Sequence, residues 1–600
     1  MAITAHTACG ANAVVSQCQC RHDGLIGWLE LAPDANGQQV FCYAQSGEVH
    51  RLIGAGVSIR SRVNEYGGRA WAFYEDGIIY IDEASQQLYY WDAFSQQAPY
   101  FWAGQAGARY CEPCVGGDGS VVAIETWHDI HRIVRFDAEG KRSVLREGDD
   151  FYAGLAMSVD NDLVWVSWQH PQQPWTATSL WFGTIIEQAL SNISCIKPAV
   201  SSIQMPSFTA NGDVLFLDDS EGFWQLYRFA GGEISAVHRP SLDMANAPWQ
   251  SGIMQYGCDA SGHLWSLRFS ADGVALYRDD EQLQPPGATQ IRELCILGHR
   301  VVCIHAGPMC MNAVSYWQDG EWMTLWRAPL PSGVSQASIP VTLQFTSSGM
   351  PLSGYWYAPP ALKHSHPDPQ APLPLIINLH GGPTAAAYPV FNPVFQFWND
   401  HGFAVLDLNY RGSSNQGRDY RMQLKHCWGI SDVEDIRSAC QYLIREGWVA
   451  ADKLFIRGRS SGGYSVLMAL LNSTLFCAAG VYFGVSDPAS LNAQTHKFER
   501  CYLPWLLGNM DEQDPNYLAR VPAKRAEDIS TPVIFFQGLA DKVVTPQQTA
   551  GMAAAIQGAG GRVETLYFAS EGHGFREPEN NVTALNAELA FYREAMKASS

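Results

Sequence analysis

The chain has 600 residues, 47% of them hydrophobic and 16% charged, and its 39 Lys and Arg against 59 Asp and Glu leave a net charge of −20. Such a length is too great for one core and calls for several domains. The acidic balance excludes nucleic acid and anionic membrane surfaces as partners, because both would repel it.

At the start, MAITAHTACGANAVV lacks the basic and apolar regions of a signal peptide. No run approaches the ~18 apolar residues of a membrane span. Fifteen cysteines, an odd and scattered set, read as reduced thiols of a cytoplasmic protein. Cys18-Gln19-Cys20 and Cys111-Glu112-Pro113-Cys114 lack the second ligand pair of a zinc site, so neither metal nor cofactor is expected.

From about residue 20 to 330, short β-like runs meet across Asp-Gly, Asn-Gly and Ser-Gly turns. Examples are AWAFYEDGIIYID (70–82), GGDGSVVAIETW (116–127), VDNDLVWVSW (159–168), TANGDVLFLDD (209–219) and DASGHLWSLRF (259–269). Each reads as a hairpin. Several units end in an aromatic-rich strand, such as LYYWD (88–92), SLWFG (179–183) and FWQLYRF (223–229). Recurrence at roughly 40 to 50 residues favours a β-propeller of about seven blades over a pair of β-sandwiches.

Between 330 and 345 the pattern changes, and the expected domains are 1–335 and 336–600. LPLIINLHGG (373–382), GFAVLDLNYRG (402–412), LFIRG (454–458), PVIFFQG (532–538) and RVETLYF (562–568) are near-continuous apolar strands. Ser431-Asp432-Val433-Glu434 reads as a capping box opening a helix with Val433, Ile436, Ala439 and Leu443 at helical spacing. Strands buried on both faces and alternating with helices predict an α/β-hydrolase domain with a mostly parallel, doubly covered sheet.

In that sheet, Gly458-Arg459-Ser460-Ser461-Gly462 fits G-x-S-x-G centred on Ser460, between an apolar strand and a buried helix, the nucleophile elbow of an α/β-hydrolase. Asp541 follows the strand PVIFFQG and His573 follows VETLYF, both where a parallel sheet puts functional residues. The order Ser, Asp, His is the hydrolase order. A serine hydroxyl needs a base, a neutral imidazole supplies one near pH 7, and a carboxylate fixes its tautomer. The LHGGP loop (379–383) supplies a backbone N–H to the oxyanion hole, and the residue after the nucleophile, Ser461, supplies the other. Arg459 and Lys542 flank the set and read as ion-paired structural residues.

A propeller followed by a hydrolase with these motifs resembles the prolyl oligopeptidase family of serine peptidases, over essentially the whole chain. SRVNEYGGRAW (61–71), SWQHPQQPW (167–175), HGGP, NYRGS, GRSSGGY, QGLADKVVTP and EGHGF resemble its acylaminoacyl-peptidase and dipeptidyl- or aminopeptidase branch. The resemblance implies a chamber between propeller and hydrolase that admits short peptides and excludes folded proteins. It implies Ser460, Asp541 and His573 as the triad and Gly382 and Ser461 as the oxyanion donors. The family's oxyanion tyrosine is replaced by His380, so backbone donors must suffice. No Glu-Glu dipeptide occurs in the chain, so the paired glutamates by which dipeptidyl peptidase IV holds an amine have no counterpart. By its place in the family, THKFERCYLPW (495–505) lines the S1 pocket, with Phe498, Tyr502 and Trp505 as its apolar wall. Glu499 either meets a substrate ammonium, as in an aminopeptidase, or pairs with Arg500 or Lys497. Glu65 is a second candidate for the amine, or a structural hydrogen-bond former in its Gly-rich loop.

The leading expectation is a serine exopeptidase, an aminopeptidase, acting on short peptides or small aminoacyl amides through an acyl-enzyme. Alternatives on the same triad are an acylaminoacyl peptidase and an esterase. A propeller binding protein with a silent hydrolase domain is the alternative from another class. The P1 side chain and the oligomeric state stay open at this level.

Overall fold

A computed structural model describes residues 2–10, 13–35, 37–53, 56–95, 97–334, 337–359 and 371–598. Seven four-stranded antiparallel sheets come first. They open at Val14, Trp71, Arg109, Phe151, Ile203, Tyr256 and Gln290, and the last strand ends at Arg327. In each, the strands follow chain order, which makes them the blades of a seven-bladed propeller. Hairpins turn where the sequence places its turn residues; Trp71 pairs with Tyr80 and Tyr74 with Gly77 across Glu75-Asp76.

The aromatic-rich strands are third in their blades rather than last. Gln225–Ala230, for example, is followed by an outer strand, Glu233–His238. That outer strand is exposed on both faces and so carries no apolar alternation to mark it. Among the described residues the first and seventh blades share no strand. Side chains close the ring: the Cys18 N–H donates to Glu293 Oε2 (3.1 Å), Arg292 Nη2 to the Val15 carbonyl (3.1 Å) and Arg300 Nη1 to the Gly24 carbonyl (2.8 Å).

The second unit is one eight-stranded sheet: β1 (Val341–Ser347), β2 (Met350–Tyr357), β3 (Leu373–Leu379), β4 (Ala404–Asn409), β5 (Val449–Arg459), β6 (Ala478–Tyr482), β7 (Val533–Gly538) and β8 (Val563–Phe568). The order is β1-β2-β4-β3-β5-β6-β7-β8, with β3 to β8 parallel. Alternate residues leave opposite faces. Leu375 and Ile377 pack toward helices α2 (Ser431–Arg445) and α3 (Ser461–Leu471), whereas Ile376 and Phe455 pack toward helix α4 (Pro578–Ala598). The doubly covered sheet of an α/β-hydrolase is therefore present.

The capping box does not form. Ser431 is already helical, behind Ile430, and no side chain caps the helix. Asp432 instead accepts from the Gly429 N–H at 2.7 Å and from Ser465, while Glu434 is taken by Arg411 at 2.6 Å. Tertiary partners outbid the local cap.

The expected division at 335/336 lies outside the described residues. A short helix near the start (Ala5–Gly10) packs with the second unit, since Ile3, Ala5 and Ala8 are buried in the cluster of Trp398, Phe455 and Tyr592. One apolar cluster crosses the interface between the units, joining Phe151, Trp168 and Trp175 of the propeller to Tyr420, Phe498 and Tyr502. Beside it, Asp219 takes Arg418 (2.8 Å) and the fully buried Arg421, whose guanidinium lies 3.8 Å from the Trp224 ring. No helix among the described residues is long and apolar enough to cross a membrane.

Candidate active site

β5 ends at Arg459 and α3 begins at Ser461, so Ser460 alone makes the junction, with φ 53° and ψ −120°. A non-glycine residue holds such a conformation only where its surroundings impose it. The flanking glycines make room for the turn. A Cβ on Gly458 would lie 2.3 Å from the Gly462 carbonyl oxygen, and one on Gly462 would lie 2.5 Å from that of Leu379.

The turn presents Ser460 Oγ to His573, whose Nε2 is 3.0 Å away. On the other side of the ring, Nδ1 lies 2.9 Å from Asp541 Oδ2. Asp541 is buried, and its Oδ1 accepts from the N–H groups of Val543 (2.8 Å) and Val544 (2.9 Å). The loop that follows β7 thus aims its own carboxylate. A proton on Nδ1 would be held by Asp541, which would leave Nε2 able to accept one from Ser460 Oγ. Phe483 packs edge-on against the imidazole at 4.8 Å.

Gly382 and Ser461 line the same cavity as Ser460 and His573. Their N–H groups donate to no acceptor among the described residues. The Ser461 side chain is buried, with the Tyr410 hydroxyl as its polar neighbour, while its backbone N–H stays unpaired among the described residues. His380 lies outside this cavity. Its Nε2 meets Ser413 Oγ at 2.8 Å, its ring stacks on Tyr410 at 4.4 Å, and burial pushes its pKa down to about 4. It is a neutral strut for the HGG loop, further fixed by the Tyr410 hydroxyl on the His380 carbonyl (2.9 Å).

The cavity is about 250 Å³ in volume, smaller than the ~300–1,000 Å³ of drug-sized ligand sites. Trp428, Val485, Leu491, Leu503 and Leu506 give it an apolar lining. Tyr66, Trp249, Tyr502 and Glu499 complete the wall. The Tyr66 hydroxyl donates to Glu499 Oε1 at 2.5 Å. Burial, reinforced by that carboxylate, pushes the Tyr66 pKa well up and keeps it a neutral donor. Trp249 contacts Tyr66 and Tyr502 edge to face, at 5.0 and 5.7 Å, and its Nε1 donates to the Thr384 carbonyl at 2.7 Å. Tyr502 meets the same residue through Thr384 Oγ1 (2.6 Å).

Glu499 has no Lys or Arg partner among the described residues; His496 Nε2, at 3.7 Å, is its basic neighbour. Lys497 turns away to the carbonyls of Asp129 (2.9 Å) and Asp150 (2.8 Å). The alternative of a Glu499 pair with Arg500 or Lys497 is therefore not what the fold makes.

Two expected wall residues sit elsewhere. Phe498 is buried behind the cavity among Phe151, Trp168 and Trp175, because the tight turn Lys497–Glu499 sends successive side chains in different directions. Trp505 packs beside Tyr502 at 5.9 Å without lining the cavity. Glu65 pairs with Arg109 at the surface, and its neighbour Tyr66 takes the inward place. Tyr66 was within reach of sequence reading, in NEYGG, whereas Trp249 and Trp428 lie in no motif. Arg459 and Lys542 form no ion pair among the described residues; the Arg459 guanidinium lies 4.9 Å from the Tyr482 ring.

A seven-bladed propeller seated on an α/β-hydrolase sheet, over a serine elbow, defines a propeller-capped serine hydrolase. The family model described as the prolyl oligopeptidase family matches residues 389–599. Dipeptidyl aminopeptidase BIII of Pseudoxanthomonas mexicana is 32% identical over 566 residues, covering 86% of this chain and 78% of that protein. A puromycin-hydrolyzing peptidase of Mycobacterium tuberculosis superposes with a TM-score of 0.92 at 28% identity, covering 99% of this chain and 96% of that one. A puromycin hydrolase does so at 0.91 and 25%, with 99% and 96% covered. The chain belongs to the prolyl oligopeptidase family of serine peptidases.

Proposed function

We propose that the protein is an aminopeptidase that removes an N-terminal residue from short peptides or small aminoacyl amides. Ser460 is the nucleophile, His573 the base and then the acid, and Asp541 the residue that orients the imidazole. His573 Nε2 takes the Ser460 proton as Oγ attacks the substrate carbonyl. The developing oxyanion is held by the N–H groups of Gly382 and Ser461. His573 then protonates the leaving amine, and water repeats the sequence to release the acyl group.

The observation that carries the reading is Glu499, a carboxylate without a Lys or Arg partner among the described residues, set beside Tyr66, Trp249 and Tyr502 in the cavity of Ser460 and His573. A carboxylate bordered by aromatic faces is complementary to an ammonium group. The small apolar lining suits one apolar P1 side chain. The relatives named for puromycin hydrolysis support an aminoacyl amide as substrate. Residues 1–335 serve as the propeller, apart from the short N-terminal helix, and 336–600 as the catalytic domain. The fifteen free thiols support a reducing, cytoplasmic setting.

Glu499→Gln should lower kcat/KM for free-amine arylamides about a hundredfold, roughly 2.7 kcal/mol, while N-acetylated arylamides and p-nitrophenyl esters change little. A uniform loss across all substrates would move the acylaminoacyl-peptidase reading ahead. A second reading, release of dipeptides, is favoured by the dipeptidyl aminopeptidase relative. Faster cleavage of dipeptidyl than of aminoacyl arylamides would establish it.

A further inference from the structure

A second cleft, of about 530 Å³, opens between the first propeller blade and the hydrolase domain. It lies across the HGG loop from the nucleophile. Gly381 lines it, and a Cβ on Gly381 would sit 3.6 Å from Ser460 Cβ and 3.3 Å from the Arg459 carbonyl oxygen. One loop therefore separates the two spaces.

Three guanidinium groups line this cleft: Arg457, Arg459 and Arg576. Arg457 is neutralised. Glu588 takes it in a bidentate pair, at 3.0 Å for each bond, and is itself saturated by Tyr482 and Tyr592. Among the described residues Arg576 has only a share of Glu83, at 3.6 Å, because Arg60 (3.4 Å) and Arg62 (3.2 Å) hold the same carboxylate. Arg459 has no anionic partner among the described residues and rests against the Tyr482 ring.

Two groups in the cleft could supply negative charge. Cys9 does not, because burial pushes its pKa up to about 11 against the pull of Arg459 and Arg457. Asp407 is buried and its pKa is pushed up to about 7, so near neutral pH it supplies part of one negative charge, and Asn378 Nδ2 occupies one of its oxygens at 2.7 Å. Positive charge is thus in excess here, in a chain whose net charge is −20. We infer that this cleft binds a carboxylate or phosphate group, with Arg459 as its forked anchor and Arg576 as the second cation.

Two sources share this chemistry. One is a free inorganic anion. The other, which rests on the aminopeptidase reading, is the C-terminal carboxylate of the peptide that departs from Ser460. The test has a thermal arm and a kinetic arm. In the first, sodium phosphate is titrated against sodium chloride of equal ionic strength, and Tm is followed for the full chain and for Arg459→Met. In the second, kcat/KM is compared for an aminoacyl-Gly-Gly tripeptide and its C-terminal amide.

A phosphate-specific rise of about 2 °C or more that vanishes in Arg459→Met supports the site with a free anion as ligand. A preference of about tenfold for the free acid over the amide, lost in Arg459→Met, supports it with the leaving peptide as ligand. Should Arg459→Met fail to fold, Arg576→Met, whose side chain is 41% exposed, must weaken either effect at least about threefold. Absence of both effects in the unmodified protein, or effects equal in protein and variants, overturns the inference. The thermal arm needs no turnover, so failure of the aminopeptidase reading leaves it decisive.

Discussion

Within the hydrolase sheet, Ser460, Asp541 and His573 each stand just beyond the end of a strand, and the bonds aiming Asp541 come from residues two and three positions away. The wall of the cavity is put together differently. Tyr66 reaches Glu499 across 433 positions, Trp249 reaches Thr384 across 135, and Gln173 holds the Phe498 carbonyl (2.9 Å) across 325. One set is local to a single domain; the other exists only while two domains are seated together. Loosening the interface should therefore spare the nucleophile and degrade amine recognition. Reactivity toward a small electrophile and selectivity for a free amine become separable properties.

The largest effect expected from that separation concerns the adjacent serines. Ser460→Ala should abolish labelling by a fluorophosphonate probe and lower turnover about 10⁴–10⁶-fold. Ser461→Ala removes a buried hydroxyl beside that of Tyr410 and keeps the backbone N–H, so labelling should persist. Equal loss in both variants would mean that the local set is wrongly assigned. A smaller effect belongs to the shared wall. Tyr66→Phe deletes the donor to Glu499 and should lower kcat/KM for free-amine arylamides about tenfold. Its labelling rate should match that of the unmodified protein. A matching fall with N-acetylated substrates would show that the propeller holds the catalytic domain in shape rather than reading the amine.

The same contrast explains how much could be read from the sequence. The elbow is legible because sterics demand its glycines, and the strands before Asp541 and His573 are legible because burial on both faces makes them continuously apolar. The blades announce themselves through turn residues, except for their outer strands, which water faces on both sides. The wall depends on smaller decisions. Asn64 and Glu65 both take left-handed φ values (55° and 64°), which turn Glu65 out to Arg109 and leave Tyr66 facing in. A single tight turn sends Phe498 into the interface and Glu499 into the cavity. The capping box at Ser431 was locally sound and lost to Arg411 and Ser465, partners that no local pattern reveals.

The smallest expected effect lies in the interface itself and in its response to pH. Asp243, in the propeller, accepts from the N–H groups of Trp224 (2.9 Å) and Gly417 (2.8 Å), the latter from the hydrolase domain. Burial pushes its pKa up to about 6, with the nearby Arg421 pulling the other way. In the unfolded chain an aspartate titrates near ~3.9. Between these values the folded protein binds the extra proton, so the stability that Asp243 contributes is fully present below ~3.9 and is lost as pH rises through about 6. Asp243→Asn cannot titrate. Its Tm should therefore fall less than that of the unmodified protein between about pH 5 and pH 7.5, by about 1–2 °C. The readout is the slope, so a uniform loss of stability from the missing acceptor oxygen does not mask it. If the interface governs amine recognition, selectivity for free-amine over N-acetylated arylamides should decline over the same interval in the unmodified protein and stay flatter in Asp243→Asn, with fluorophosphonate labelling of the two changing in parallel. Slopes that coincide would show that the seam between the domains is insensitive to this carboxylate, and that the wall holds its shape without it.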